Sequence, residues 1–170
     1  NRRIRTGAKG FMAIISAGKG SSSAAGSIKY VQYEKGTTNT RIIFSDGINC
    51  SPYYKDAIHD FELIRDTFQK YGGRKAHHMV LAFSPAEETK FTPKELFQKS
   101  IEITKKIFPD NQIWLGMHND TEHLHVHIVI NSVNLETGNK LQIAGRKGMH
   151  DIMEKVQLKA HELGLDTTLS

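Results

Sequence analysis

Short apolar runs, separated by clusters of turn residues, predict five β-strands in this chain. The runs are rich in β-branched residues and are bounded by glycine, proline, serine or asparagine, a pattern typical of strands. The Asp46-Gly47 pair predicts a turn at the end of the second run. A tight polar turn at residues 119–122 joins the last two runs into a hairpin. The predicted strands cover residues 11–18, 40–50, 77–84, 112–118 and 123–134.

Four other segments repeat their apolar residues at helical spacing. Ser22 or Ser23 is expected to cap the first helix, and Thr92 with Pro93 and Glu95 forms the start signal of the third. The predicted helices cover residues 23–33, 55–71, 92–108 and 148–163. Strands and helices in this order predict an α+β sandwich, in which a largely antiparallel β-sheet carries helices packed on its faces.

Composition narrows the class of protein. The 170 residues are 38% hydrophobic and 24% charged, as expected for one globular domain. No apolar run approaches the ~20 residues that a membrane-spanning helix needs, so a cytoplasmic protein is expected. The single cysteine, Cys50, cannot form an internal disulfide.

Positive charge is concentrated near the start of the chain. Residues 1–41 hold eight basic side chains and one acidic one, whereas the whole chain has a net charge of +5. Such a distribution favours contact with a polyanion, most often nucleic acid, although a solubilising tail is the alternative. We divide the chain into a basic N-terminal extension, residues 1–11, and a domain, residues 12–170. The residues expected to contact a nucleic-acid backbone are Arg2, Arg3, Lys29, Arg41, Arg74 and Lys75.

Histidines are concentrated in "HNDTEHLHVHIVIN", residues 118–131. On a strand, His125, His127 and Asn131 share one face, and the short turn brings His118 opposite the histidine pair. Three imidazoles on adjacent strands suit a divalent metal, although isolated histidines more often serve packing. Asp120 either orients a ligand histidine, acts as a general base, or completes the turn.

Two tyrosines in "SIKYVQY" lie on the first predicted helix. Tyr30 and Tyr33 are three residues apart and therefore occupy neighbouring positions on one helical face. A tyrosine beside basic groups and a metal can act as a covalent nucleophile toward phosphate. The alternative is that both are amphipathic packing residues.

Four segments together resemble a known family: "AGSIKYVQY", "NCSPYYKDAIHDF", "HHMVLAFSP" and "HNDTEHLHVHIVINSVNLETGNKL". They are similar to the N-terminal nuclease domain of conjugative and mobilisation relaxases, in the MOBP-like class of the HUH endonuclease superfamily. The likeness runs from about residue 12 to residue 141. The family's histidine motif is met at His118, Asp120, His125, His127 and Asn131.

The resemblance implies a relaxase nuclease domain that nicks one DNA strand at an origin of transfer and starts conjugative transfer of a plasmid or integrative element. A tyrosine becomes linked to the 5′ phosphate, and Tyr30 matches it by its position after "IK", with Tyr33 as the second candidate. Three histidines, His118, His125 and His127, would hold Mn²⁺ or Mg²⁺, with Asp120 supporting His118. The tyrosine precedes the histidine motif, which is the permuted order of relaxases.

The resemblance also implies partners. These are single-stranded origin DNA with a hairpin and a nick site, accessory relaxosome proteins and a coupling protein, with no membrane. The expected location is the bacterial cytoplasm, with transfer alongside DNA into a recipient cell as a further option. Relatives are much longer, so the chain is expected to be a fragment of a larger protein.

One departure and three alternatives qualify this interpretation. Ala82 stands where relatives often have serine, which removes any role for that hydroxyl. The alternatives are a replication-initiator-type HUH nuclease, an iron oxygenase, and a non-catalytic, metal-stabilised module that binds single-stranded DNA. In the last of these, Tyr53 or Trp114 would stack on bases.

Overall fold

Six strands pair into one antiparallel sheet at the centre of the molecule. A computed structural model describes residues 3–5, 12–16, 23–143 and 145–165, the first two ranges by their backbone alone. The strands are β1 (Arg3–Arg5), β2 (Met12–Ser16), β3 (Ile42–Ile48), β4 (Ala76–Ala82), β5 (Asn111–His118) and β6 (His125–Asn134). Their spatial order is β1-β2-β4-β6-β5-β3, so β6, with its histidines, lies between β4 and β5.

The described residues form five helices, and two of them begin at capping residues that the sequence predicts. The helices are α1 (Ala24–Gln32), α2 (Tyr54–Thr67), α3 (Pro85–Lys90), α4 (Pro93–Ile107) and α5 (Gly145–Glu162). Ser23 caps α1 by accepting a hydrogen bond from the amide of Gly26. Thr92 and Glu95 form the predicted capping box of α4, with Pro93 in the first turn. Within the described ranges, none of these helices has the length and apolar character needed to cross a bilayer.

Helices cover both faces of the sheet because strand residues alternate between two apolar surfaces. Val126, Ile128 and Ile130 of β6 join the larger core, which also includes side chains of α4 and α5. On the other face, Trp114 and Val129 pack with side chains of α1 and α2. The predicted α+β sandwich and its alternation along β6 are therefore confirmed, and every pairing within the sheet is antiparallel.

Local turn signals were misleading at one predicted boundary. Asp46 and Gly47 do not form a turn: both lie inside β3, where they pair with Leu115 and Trp114 of β5. The chain turns two residues later, at Asn49, whose φ is 58°. Glycine is still required at position 47, because a Cβ atom there would overlap the carbonyl oxygen of Cys50. Pairing with a central strand overrode the turn propensity of the Asp-Gly pair.

Two elements were not predicted, and one helix is shorter than expected. The short helix α3 follows β4 directly, with Ser84 as its cap. The edge strand β1 lies within the predicted basic extension and pairs with β2. Helix α2 ends at Thr67 rather than at residue 71, because Gln69 adopts a left-handed conformation with φ 54°. The boundary between residues 11 and 12 stays a prediction.

Candidate metal centre

Three histidine side chains converge where β5 ends and β6 begins. In the sheet, His118 lies directly opposite His125, and His127 is the next β6 residue on the same face. Nδ1 of His118 is 3.3 Å from Nε2 of His125. One nitrogen from each of His118, His125 and His127 lies within 4.8 Å of the other two. Two nitrogens bound to one ion at ~2.1 Å are separated by roughly 3 Å, so the cluster needs little contraction to coordinate a metal.

Each imidazole has one nitrogen that faces the cluster and one outer nitrogen that points away from it. Hydrogen bonds made by the outer nitrogens set the tautomer of each ring. Nε2 of His118 is 2.7 Å from the carbonyl oxygen of Val31 on α1. Nδ1 of His125 is 2.9 Å from the carbonyl oxygen of His123. A carbonyl can only accept, so these outer nitrogens carry the protons and donate them. In the neutral rings, Nδ1 of His118 and Nε2 of His125 therefore present lone pairs, as metal-binding histidines require.

Burial favours the neutral form of His118 and His127. It is the main reason that the pKa of His118 falls to about 4, with the nearby Arg41 guanidinium acting in the same direction. Burial also lowers the pKa of His127, which is further lowered by the neighbouring histidines. A neutral imidazole is the form that binds a metal, so the cluster is ready to coordinate one near neutral pH.

The two candidate tyrosines on α1 occupy different environments. Tyr30 is 55% exposed, and its ring lies edge-on to His127 with 6.4 Å between centroids. The guanidinium of Arg41 lies 5.8 Å from the centroid of the same ring. Tyr33 instead shares a hydrogen bond between hydroxyl groups with Tyr54 of α2, which raises the pKa of Tyr54 to about 12. Tyr30 therefore borders the histidine cluster, while the Tyr33 hydroxyl is engaged by another helix.

Asp120 pairs with Arg41 rather than with a histidine. Two guanidinium nitrogens of Arg41 lie 3.0 Å from the carboxylate of Asp120. The outer nitrogen of His118 is already bonded to the Val31 carbonyl. Among the described contacts, the expected direct support of His118 by Asp120 is absent. The ion pair instead holds Arg41 beside the Tyr30 ring.

Asn131 shares the histidine face of β6, as predicted, but lies four residues from His127. Its buried side-chain amide donates to the side chain of Gln112 at 3.0 Å and to the carbonyl of Phe61 at 3.3 Å. The bond to Phe61 connects α2 to the sheet, and the bond to Gln112 joins β6 to β5. Trp114 is also on this face, but it is fully buried and donates to the carbonyl of Pro52, so it cannot stack on a base. Tyr53 is 49% exposed and keeps a face accessible.

Comparison with known proteins identifies the family. A family model described as "Relaxase: MobA/VirD2-like, nuclease domain" matches residues 30–162, which include both tyrosines and all three clustered histidines. The chain belongs to this relaxase family. The resemblance read from the sequence motifs is thereby confirmed.

Curated relatives agree with the family match. Two proteins named "Protein rlx" from Staphylococcus aureus are 40% identical over 109 residues and 38% identical over 107 residues. These alignments cover 64% and 63% of this chain, and 32% and 31% of the relatives. "Group II intron-interrupted relaxase LtrB" of Lactococcus lactis subsp. cremoris (strain MG1363) is 30% identical over 79 residues, covering 44% of this chain and 13% of the relative. The relaxase chain thus spans about a third of the length of the staphylococcal relatives that it matches.

The basic residues predicted to contact DNA fall into separate groups on the relaxase domain. Lys29 is exposed next to Tyr30 on α1, and Arg41 contacts the Tyr30 ring. Arg74 and Lys75 precede β4, whose first residue pairs with Asn131, at the other end of the sheet from the histidines. At ~3.3 Å per residue, Lys75 is roughly 17 Å along β4 from the level of His127. Arg2 and the side chain of Arg3 lie outside the described residues.

Sequence reasoning missed His78, a histidine that contacts the three-histidine cluster through His127. Its Nε2 is 2.8 Å from Nδ1 of His127. The available signal was the alternation in "HHMVLAFS", which puts His78 and Val80 on one face of a predicted strand. That signal could not reveal that β4 would pair with β6, since 49 residues separate His78 from His127.

Gly116 lets α1 approach the sheet beside the three-histidine cluster of the relaxase domain. It lies opposite His127, and a Cβ atom there would be 2.8 Å from Cγ1 of Val31, whose carbonyl binds His118. We expect Gly116→Ala to lower the free energy of unfolding by about 1–3 kcal/mol, because the fully buried Val31 has no room to move away. Urea denaturation measures this loss.

Gly72→Ala is the matched control, since nothing lies within 4 Å of a Cβ atom at that position. We expect it to change the unfolding free energy by no more than about 0.5 kcal/mol in either direction. Equal stability of Gly116→Ala and the parent protein would show that α1 does not need this close approach.

Proposed function

We propose that this relaxase domain nicks one strand of DNA at an origin of transfer through a covalent tyrosine intermediate. The phenolic oxygen of Tyr30 bonds to a backbone phosphorus as the bond from that phosphorus to the 3′ oxygen breaks. The phenolic proton leaves Tyr30, and the departing 3′ oxygen takes up a proton to become a hydroxyl. One phosphate ester replaces another, so the step needs neither water nor a redox partner.

One observation supports Tyr30 above all others: its exposed ring lies against His127, at the edge of the three-histidine cluster. A nucleophile must reach the phosphate that the cluster would bind through its ion, and a partly exposed side chain beside the cluster meets that requirement. The hydroxyl of Tyr33 is engaged by Tyr54, which favours Tyr30 as the nucleophile. Reversal of the same chemistry would reseal the strand after transfer.

His118, His125 and His127 would hold the divalent ion, since their nitrogens converge and their outer nitrogens are engaged. Bound there, the ion would supply Lewis-acid polarisation of the scissile phosphate. Imidazole ligands favour Mn²⁺ on affinity, and cellular abundance favours Mg²⁺. Because three neutral histidines leave the charge of the ion uncompensated, the site suits an anionic substrate.

Arg41 and Asp120 would act together at Tyr30. The guanidinium bridges the Asp120 carboxylate and the Tyr30 ring, so it is placed to attract a phosphate toward the nucleophile. We assign Asp120 as the candidate acceptor of the phenolic proton. Their ion pair would also keep Arg41 from turning away into solvent when no DNA is bound.

DNA would contact the domain in more than one place. Lys29 and Arg41 would bind backbone phosphates next to the nick site, and Tyr53 offers an exposed ring for stacking. Arg74 and Lys75, at the far end of β4, would bind a more distant part of the origin, such as its hairpin. We also propose Arg2 and Arg3 as phosphate contacts, on the basis of the sequence alone.

The wider setting follows from the relaxase family and is likewise proposed. The domain would act in the bacterial cytoplasm on plasmid or integrative-element DNA. Accessory relaxosome proteins and a coupling protein would assist it. The whole protein would begin conjugative or mobilised transfer and would travel with the DNA that it carries.

A nicking assay tests the proposed function. The purified chain is incubated with Mn²⁺ and with a supercoiled plasmid that carries the origin of transfer of its own element, its mobilisation verified in cells. We expect relaxed plasmid, a tyrosine-linked peptide on the 5′ end of the break, and a 3′ hydroxyl that a polymerase can extend. A chelator should abolish the product, because the phosphate would lose its Lewis acid.

A plasmid that lacks the origin is the matched control and should stay supercoiled. Metal-dependent binding of the verified origin without any nick would contradict the nuclease and indicate a DNA-binding module. A nick that ends in a free 5′ phosphate would contradict the covalent route alone.

A further inference from the structure

The three clustered histidines differ in what their outer nitrogens contact. His118 donates to the backbone carbonyl of Val31, and His125 donates to the backbone carbonyl of His123, with the Thr121 hydroxyl 3.3 Å from the same His125 nitrogen. The outer nitrogen of His127 contacts a side chain instead: Nδ1 lies 2.8 Å from Nε2 of His78. One member of the cluster therefore depends on a residue that substitution can remove without altering the backbone.

His78 reaches His127 because of the register between two adjacent strands. In the pairing of β4 with β6, His78 lies opposite Val129 and Val80 lies opposite His127. His78 and His127 are therefore diagonal neighbours on one face, a separation that long side chains can bridge. Their ring centroids are 5.0 Å apart.

The direction of this hydrogen bond follows from proton counting. A neutral His127 that offers the Nε2 lone pair to an ion must carry its proton on Nδ1. That proton can only be donated to His78, so Nε2 of His78 must accept it. A neutral His78 that accepts at Nε2 must carry its own proton on Nδ1. Metal binding by His127 thus requires one particular tautomer of His78.

We propose that His78 is a positioning residue that orients His127 and fixes its tautomer for metal coordination, without itself binding the ion. This rests on the metal site of the proposed function and adds a fourth histidine to it. Partners of this kind are usually carboxylates, carbonyls or water, and here a neutral imidazole takes their place. His78 lies on β4, whereas the three proposed ligands lie in the histidine motif on β5 and β6.

Calorimetric titration with Mn²⁺ alone measures the role directly. We expect His78→Phe to weaken Mn²⁺ binding by about 10–100-fold, because His127 loses its acceptor while an aromatic ring is kept at this position. His78→Gln should restore binding to within about threefold of the parent protein, since the amide oxygen can accept the same proton.

His77→Phe is the matched control. His77 is the adjacent residue of β4, is buried, and also makes a single hydrogen bond, from Nε2 to the carbonyl of Leu141 at 2.9 Å. It lies on the opposite face of the strand from the cluster. We expect this variant to lose stability in urea denaturation yet to keep the Mn²⁺ affinity of the parent protein.

A spectroscopic measurement separates positioning from direct coordination. In protein labelled with ¹⁵N and loaded with ¹¹³Cd²⁺, scalar coupling to cadmium identifies every coordinating nitrogen. We expect coupling to Nδ1 of His118, Nε2 of His125 and Nε2 of His127, with His78 uncoupled and protonated at Nδ1. Coupling to His78 would overturn the proposal by making it a fourth ligand.

The other outcomes are equally distinct. Unchanged Mn²⁺ affinity in His78→Phe would also overturn the positioning role while leaving the metal site intact. If the parent chain binds neither Mn²⁺ nor Cd²⁺, the metal site of the proposed function is wrong and the role of His78 falls with it. Failure of the nicking assay with normal metal binding would affect only the proposed function.

Discussion

Replacing Tyr30 with phenylalanine is expected to lower the yield of covalent protein–DNA adduct by at least about 10³-fold. The substitution removes the oxygen that we propose as the nucleophile and keeps the ring beside His127, so we expect the three-histidine cluster and the surface around it to be preserved. Labelled origin DNA, separated on denaturing gels after the reaction, measures the yield. Mass spectrometry of the adduct in the parent protein identifies the linked residue, which we expect to be Tyr30.

Tyr33→Phe is the matched control, because it removes a hydroxyl from the same helix only three residues away. That hydroxyl is bonded to Tyr54, so we expect a loss of about 0.5–1.5 kcal/mol in stability and an adduct yield within about tenfold of the parent protein. The reverse pattern, with adduct lost in Tyr33→Phe and retained in Tyr30→Phe, would keep the reaction and move the nucleophile to Tyr33. DNA binding measured for both variants confirms that substrate still reaches the site.

Metal-free protein is expected to lose about 4 kcal/mol of stability between pH 7.5 and pH 5.5. Burial is the main cause that lowers the pKa of His78 and His118 to about 4, and it lowers the pKa of His127 further. In the unfolded chain each returns to its ordinary pKa of about 6.5. Below about pH 6.5 the unfolded state binds more protons than the folded state. The stabilisation is therefore fully present above about pH 6.5, and it is lost as the pH falls toward the lower pKa values of the folded state. Each group contributes roughly 1–2 kcal/mol over this interval.

Urea denaturation in the presence of a chelator, at several pH values, measures this loss. The buried His77, whose pKa burial also lowers, should add to it in the same direction. His150→Gln is the control, because His150 is exposed on α5 and its replacement should leave the pH dependence unchanged. His127→Gln should reduce the difference by roughly 1–2 kcal/mol. Stability that stays constant over the interval would show that these histidines are protonated equally in both states.

Much of the metal site could be predicted from the sequence because its parts are local. Alternation along β6 placed His125 and His127 on one face. The connection between β5 and β6 covers residues 119–124, two residues more than the predicted turn, and His118 still lies opposite His125 as predicted. Capping residues predicted the starts of α1 and α4 for the same reason, since each cap acts on the next turn of the chain. The Asp46-Gly47 turn failed where a local preference competed with pairing to a central strand.

The remaining parts of the site depend on contacts between distant residues. The partnership of Arg41 with Asp120 spans 79 residues, and the bond from His118 to the Val31 carbonyl spans 87. Such contacts depend on the order of the strands in the sheet and on how α1 packs against the sheet. Neither can be predicted from a single segment of the sequence. The separation of Arg74 and Lys75 from the histidine end of the sheet likewise became visible only once β4 was paired.

By itself, then, the sequence determined the fold class, the relaxase family and the three converging histidines, because strand alternation, caps and a tight hairpin act between near neighbours. Only the tertiary structure decided which tyrosine borders the cluster, which residue engages Asp120, and that His78 meets His127. Those contacts form when apolar faces of separate elements are buried against one another. Burial of apolar surface does not by itself specify which polar side chains become neighbours, so these contacts could not be predicted from the sequence.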